Sequence, residues 1–206
     1  MDARSFIQWI SACALGEAVG LTFSGLVAAV VGSIFAPEFG EPSPWLLRGL
    51  MVFAGFFEGA CVGGAQAAIL RQRFPELSAP KFTVATGVGM ALGWALGSFV
   101  AGGSDGFLSP NLGTMLVFAL ASGVGLGAIL GTAQAMLLRH HTRAARRWIV
   151  ANVIGWALAM VISYFGTNAM PGGAYGPGAL GVLLVTGAAM GMVVGVATAL
   201  MAPSRG

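Results

Sequence analysis

Six apolar runs of roughly 18 to 30 residues fill most of this sequence, and they restrict its fold more than any other feature. About 20 apolar residues suffice for an α-helix to cross the hydrocarbon core of a bilayer. Transmembrane β-strands alternate polar and apolar residues over about 10 positions, and these runs do not alternate. We therefore predict an all-α membrane protein with six spans, at residues 6–35, 45–70, 82–101, 114–138, 148–165 and 179–201.

The composition excludes a water-soluble helical protein as the alternative. Hydrophobic residues make up 57% of the chain and charged residues only 8%, whereas a soluble domain carries about 25% charged residues. So few charges cannot solvate a surface in water. The first run is also too long for the apolar region of a cleaved signal peptide. The sequence predicts a single integral membrane domain over residues 1–206.

The basic residues predict the orientation of the chain. With six spans, nine of the ten Lys and Arg residues fall on one side of the membrane, and the loops on the other side contain Glu38, Glu41 and Asp105. By the positive-inside rule, both termini are cytoplasmic. We expect a multi-pass protein of the bacterial inner membrane. The nine basic residues are Arg4, Arg71, Arg73, Lys81, Arg139, Arg143, Arg146, Arg147 and Arg205.

One phrase occurs twice, as GGAQAAILRQ at residues 63–72 and as GTAQAMLLRH at residues 131–140. The even spans share glycines at every fourth position, and the odd spans share a second phrase that begins at Trp9, Phe82 and Trp148. We predict three tandem helical hairpins, at about 1–71, 72–139 and 140–206, related by a pseudo-threefold axis along the membrane normal. The shared glycines are Gly55, Gly59, Gly63, Gly123, Gly127, Gly131, Gly187, Gly191 and Gly195.

These glycines have a physical use in a membrane. Lipid tails are as apolar as leucine, so helices gain little by hiding leucine from them, and association depends on close packing. Glycines at i, i+4 and i+8 form a smooth stripe that another helix backbone can approach. We therefore expect the even helices to be the inner or most tightly packed ones.

The segment GTAQAMLLRHHTRAARRWIVANVIGWALA (131–159) resembles a repeat of uncharacterised bacterial polytopic membrane proteins. Its shared pattern is a Gly-spaced helix, Gln, Leu-Arg and then Trp-x-x-Ala-x-x-x-Gly-Trp. The resemblance covers spans three to five well and the rest of the chain loosely. It implies the helical-hairpin architecture and no particular activity.

Two acidic residues, Glu17 and Glu58, lie deep inside predicted spans. At about 1.5 Å of rise per residue, both lie roughly 16–20 Å from the cytoplasmic edge. An intramembrane carboxyl is costly and is a functional candidate. The two could share one proton, and so carry a proton or bind a cation; alternatively each is protonated or hydrogen-bonded and only sets the register of the helices. The equivalent positions in the other repeats are Met90 and Trp156 for the first residue, and Leu126 and Met190 for the second.

The two cysteines, Cys13 and Cys61, each lie one helical turn from one of these acids. Thiolates and carboxylates both bind zinc, so a two-Cys, two-Glu metal site is conceivable. No histidine joins them, however. We favour the alternative that the cysteines are small packing residues, with no metal and no disulfide.

A second polar set lies near the predicted cytoplasmic edge. Gln66, Gln134 and Thr198 occupy equivalent positions on the even spans, and Cys13, Thr86 and Asn152 lie at comparable depth on the odd spans. Together they could line a polar vestibule. We favour interhelical hydrogen bonding instead, because Gln66 shares a helix face with the packing glycines.

The loop from Arg139 to Arg147 is the only dense basic stretch of the chain. Its arginines, Arg139, Arg143, Arg146 and Arg147, could bind anionic lipid headgroups or a partner. Ordinary topological anchoring is the favoured interpretation. His140 and His141 are adjacent and would point apart on a helix. Nucleic-acid binding is not expected, because the chain has no soluble platform for it.

The sequence contains no HExxH, phosphate-binding or dinucleotide-binding motif in a suitable context, so neither catalysis nor a cofactor is predicted. Two functions remain open. The first is a small channel or transporter for protons, cations or a small solute that uses Glu17 and Glu58; it requires a wet path to the acids. The second is an accessory or assembly subunit that packs against a larger membrane complex; it requires an outward-facing glycine stripe.

Overall fold

The computed structural model describes residues 2–35, 43–101, 111–142, 144–170 and 177–201, and these form six α-helices. The all-α prediction is confirmed, and the helix ends lie within three residues of the ends of the predicted spans. Their bounds are α1 Ala3–Phe35, α2 Pro44–Arg73, α3 Ala79–Ala101, α4 Leu112–Leu138, α5 Ala145–Asn168 and α6 Pro177–Leu200.

Five of these helices, α1, α2, α4, α5 and α6, are long and apolar enough to cross a membrane. Over the residues searched, α3 is not among these helices. A multi-pass membrane protein is therefore supported, and the sixth span stays a prediction. The orientation also stays a prediction, since Glu38, Glu41, Asp105 and Arg205 lie outside the described residues.

Local sequence explains where two of the helices begin. Before α2, the Ser43 hydroxyl accepts a hydrogen bond from the Leu46 amide at 3.3 Å, and proline occupies the first helical position. Before α4, the Asn111 side chain accepts from the amides of Gly113 and Thr114 at 2.9 and 3.4 Å. Both arrangements satisfy amides that lack a partner in the first helical turn.

The six helices form a closed ring in chain order, in which each helix packs against its two neighbours and α6 returns to α1. Within the described ranges, the backbones of non-neighbouring helices do not approach one another, so side chains fill the centre. Two layers of apolar side chains fill the centre of the ring. The first includes Trp9, Phe82 and Trp148 at the end nearest the α2–α3 loop, and the second includes Met90 and Trp156 deeper in the ring.

The glycine stripes of the even helices lie against the odd helix of the next hairpin. A Cβ added at Gly59 of α2 would lie 2.6 Å from the carbonyl oxygen of Thr86 in α3. A Cβ at Gly127 of α4 would lie 2.5 Å from that of Asn152 in α5. The other members of each stripe, Gly55, Gly63, Gly123, Gly131, Gly187, Gly191 and Gly195, face the same partner helices, with α6 facing α1. The stripes thus join one hairpin to the next.

Within two of the hairpins, glycines of the odd helix permit a similar approach. A Cβ at Gly20 of α1 would lie 2.8 Å from the Glu58 Cα in α2, and one at Gly155 of α5 would lie 3.1 Å from the Val194 Cα in α6. The α3–α4 interface differs, because the space at Gly93 is filled by the Leu126 side chain. Leucine side chains thus fill much of this interface, and the two backbones approach less closely than at Gly20 or Gly155.

Candidate functional site: a buried carboxyl pair

Glu17 of α1 and Glu58 of α2 meet inside the helix ring. Their side chains are 1% and 2% exposed, and the two carboxyl groups lie close enough to interact electrostatically. The close approach at Gly20 explains the meeting, since a side chain there would collide with the backbone and side chain of Glu58. The two acids that the sequence singled out therefore form one site.

Glu58 also interacts with two donors that sequence reasoning did not identify. The Ser24 hydroxyl of α1 donates to Oε2 of Glu58 at 3.0 Å, and the indole of Trp94 in α3 lies near the same carboxyl. The position of Trp94 in the sequence could have indicated a polar neighbour. An indole N–H in the middle of an apolar span needs an acceptor there, because no water is at hand to supply one.

Glu17 has no comparable hydrogen-bond donor among the described residues. Within the described ranges, no N–H or O–H group of the protein hydrogen-bonds to either of its carboxyl oxygens. The carboxyl of Glu58 is the neighbouring group that affects it most. Two carboxylates offer only acceptors, so a hydrogen bond between them requires a proton on one member. The arrangement is suited to holding a single proton between two carboxyl groups.

The polar set near the α2–α3 loop end of the ring forms a hydrogen-bonded cluster. The Gln134 amide donates to Oε1 of Gln66 at 2.8 Å and contacts the Thr86 hydroxyl at 3.1 Å. The Trp148 indole donates to Oε1 of Gln134 at 2.7 Å, and the Gln66 amide lies 3.6 Å from the Cys13 sulfur. Side chains from α1 to α5 thus meet at one level.

The remaining members extend this cluster around the ring. The Trp9 indole donates to the Thr198 hydroxyl at 2.9 Å, and its ring packs edge-on against Trp148 with centroids 5.6 Å apart. Asn152 donates to the carbonyl of Trp148 at 2.9 Å. Gln66, Gln134, Asn152 and Thr198 are all at most 1% exposed. Such burial and mutual bonding favour the interhelical hydrogen-bonding alternative over an open vestibule.

Replacing Gln134 with leucine should lower the stability by about 1–2 kcal/mol, because Trp148 and Gln66 lose partners in a buried setting. Leucine has nearly the same size, so packing is little affected. Unfolding in detergent, followed by circular dichroism, measures the difference. The control is Gln72→Leu at the exposed end of α2, which should change stability by less than about 0.5 kcal/mol. Equal effects of the two substitutions would contradict a structural role for the cluster.

The two cysteines lie apart from a metal-binding arrangement. Cys13 is buried beside Gln66, while Cys61 is half-buried, and both are free thiols. In the part of the chain that the structure describes, no three His, Cys, Asp or Glu side chains group closely enough to hold a metal ion. The conceivable two-Cys, two-Glu zinc site has no support in this geometry.

The basic loop lies at the same end of the ring as the α2–α3 loop. Arg139, Arg146 and Arg147 are exposed, and Arg143 lies outside the described residues. The His141 ring packs near Phe74 with centroids 6.0 Å apart, and Arg139 contacts His140 at 3.5 Å. His141 is therefore placed against the α2–α3 loop, and His140 lies beside Arg139 of its own loop.

The helices and the buried site together define an α-helical protein with the composition of an integral membrane protein. No protein-family model, curated protein or solved structure matches this chain. The function must therefore be argued from the site alone.

Proposed function

We propose that this protein is a small membrane transporter or channel in which Glu17 and Glu58 carry a proton. One observation supports this above the others: Glu17 is buried beside a second carboxyl, and no described group of the protein donates a hydrogen bond to it. A buried polar group without a partner costs several kcal/mol. The equivalent positions Met90 and Trp156 are apolar and equally buried, so packing at this level does not require an acid.

The ligand set favours a proton over a metal ion. Calcium takes six to eight oxygen ligands, and magnesium demands six in near-octahedral geometry. The described side chains here supply only two carboxyl groups and the Ser24 hydroxyl. A proton needs no more than the two carboxyl oxygens between which it is shared.

Conduction requires the buried pair to become accessible from water, and the α3–α4 interface is the one best suited to open. Leucine side chains fill much of this interface, whereas α3 packs closely on α2 along the glycine stripe. Separation of α3 from α4, with α2 and α3 moving together, would open the ring beside the pair. Proton uptake and release would then accompany this movement.

Among the described residues, the nine stripe glycines give little support to the accessory-subunit alternative. Such a protein would present a glycine stripe to a partner, whereas each of the nine stripe glycines faces a neighbouring helix of the same chain. We therefore favour transport, and propose no enzymatic activity.

We further infer that the ring is a pseudo-threefold bundle in the bacterial inner membrane with both termini in the cytoplasm. The threefold relation is supported by the stripes of α2, α4 and α6, each of which faces the odd helix that follows it around the ring. The orientation is supported by the distribution of basic residues.

The decisive experiment is proton flux into liposomes that contain the purified protein and a pH-sensitive dye. A potassium gradient with valinomycin supplies the driving potential. The wild type should acidify or alkalinise the lumen faster than empty liposomes do. The double variant Glu17→Gln/Glu58→Gln should fold and lose this flux, because an amide pair cannot release a proton.

The matched control is Glu76→Gln, which neutralises an exposed acid in the α2–α3 loop and should leave the flux unchanged. Wild-type flux equal to that of empty liposomes, or undiminished flux in the double variant, would refute the proposal. Circular dichroism and size-exclusion chromatography confirm that each variant is folded.

A further inference from the structure

A groove of about 700 Å³ lies on the outer surface of the ring between α2 and α3. Its floor consists of small side chains, including Gly64 and Ala68 of α2 and Thr83 of α3, and Arg71 lies at one end. Gly64 and Arg71 are seven residues apart, so the floor runs for about 10 Å along the helix axis. The groove therefore extends from a charged rim into the apolar part of the surface.

The groove is a feature of the α2–α3 interface. The residues at the equivalent positions of the other two interfaces have larger side chains, which would fill it. Where α2 and α3 have small side chains, the α4–α5 and α6–α1 interfaces have Thr, Met, Val, Leu and Ile. The counterparts are Thr132 and Val196 for Gly64, Met136 and Leu200 for Ala68, and Ile149 and Ile10 for Thr83. Local sequence, rather than the general architecture, creates the groove.

We propose that this groove binds one anionic phospholipid. The outer surface of a membrane helix faces acyl chains, and an apolar groove there is filled by a chain rather than by water. Arg71 is exposed in the last turn of α2 and has no acidic partner among the described residues. Its guanidinium offers a planar set of donors that matches a phosphate. The acyl chain lies along Gly64 and Ala68, and the phosphate binds Arg71.

The charge around the rim fits a negative headgroup. Lys81 in the first turn of α3 is exposed, and the α2–α3 loop contributes the single acid Glu76. Each basic residue near a membrane surface contributes about 1 kcal/mol to the attraction of an anionic lipid. Removing Arg71 should therefore weaken binding by about fivefold. This proposal does not depend on proton transport through Glu17 and Glu58.

The test adds phosphatidylglycerol or phosphatidylcholine with identical acyl chains to delipidated protein in detergent and counts bound lipids by native mass spectrometry. Phosphatidylglycerol should bind the wild type more tightly than phosphatidylcholine. Arg71→Ala should weaken this binding, and Gly64→Leu should block it by filling the groove. A Cβ at Gly64 would meet only the Thr83 hydroxyl, at 3.8 Å, so the leucine variant should fold.

Two matched controls accompany these variants. Gly125→Leu places the same side chain on the exposed face of α4, where no described atom lies within 4 Å of the added Cβ. Arg139→Ala removes the arginine at the equivalent position of the second repeat. Both should bind phosphatidylglycerol as the wild type does. Equal binding of the two lipids, wild-type binding by either groove variant, or an equal loss in Arg139→Ala would overturn the proposal.

Discussion

Replacing Gly123 with alanine should destabilise the protein strongly, whereas the same replacement at Gly125, two residues further along α4, should stabilise it slightly. A methyl group at Gly123 would overlap the carbonyl oxygen of Trp156 and lie 2.5 Å from the Ala157 Cα. Neither backbone atom can rotate away, so α4 must move off α5. Overpacking of this kind costs about 1–3 kcal/mol or more.

At Gly125 the added methyl group meets no described atom within 4 Å. Alanine is the better helix former by about 1 kcal/mol, so this variant should be more stable than the wild type. Titration with SDS from a mild detergent, followed by circular dichroism, measures both changes under one condition. Equal stability of the two variants would show that α4 and α5 are not in backbone contact.

The sequence predicted the purpose of the glycine stripes but not their partners. Spacing at i, i+4 and i+8 places Gly123, Gly127 and Gly131 on one face of a helix, and in lipid such a face serves close packing. The pattern does not specify which helix packs there. The structure pairs this stripe with Ile149, Asn152 and Trp156 of the next hairpin, a choice that depends on how the hairpins assemble.

For the polar residues as well, the sequence predicted their depth in the membrane but not their contact partners. Helix rise alone placed Glu17 and Glu58 at similar depth, and repeat positions placed Gln66 level with Gln134. Sequence could not decide whether the glutamines line water or bond to each other, because that depends on side-chain packing. Trp94 was missed because its indole reaches Glu58 from a different hairpin, and no local spacing encodes such a contact.

The carboxyl pair should respond asymmetrically to substitution. Glu17→Met removes a buried carboxyl that has no donor of its own and introduces the residue found at the equivalent position 90. Glu58 would keep Ser24 and Trp94, so the stability should stay equal or increase. Glu58→Met should instead lower the stability by about 3 kcal/mol or more, because it leaves the Glu17 carboxyl buried among apolar groups and takes a polar neighbour from Ser24 and Trp94.

The double variant Glu17→Met/Glu58→Met distinguishes energetic coupling between the two carboxyl groups from a simple packing effect. Adding Glu17→Met to Glu58→Met removes the isolated carboxyl, so the second substitution should restore about 2 kcal/mol or more of the lost stability. Ser24 retains the Ala54 carbonyl oxygen at 3.4 Å as an alternative acceptor, so the remaining deficit arises mainly at Trp94. If the effects of the two single substitutions simply add, Glu17 and Glu58 are not energetically coupled, and a proton cannot be held between them.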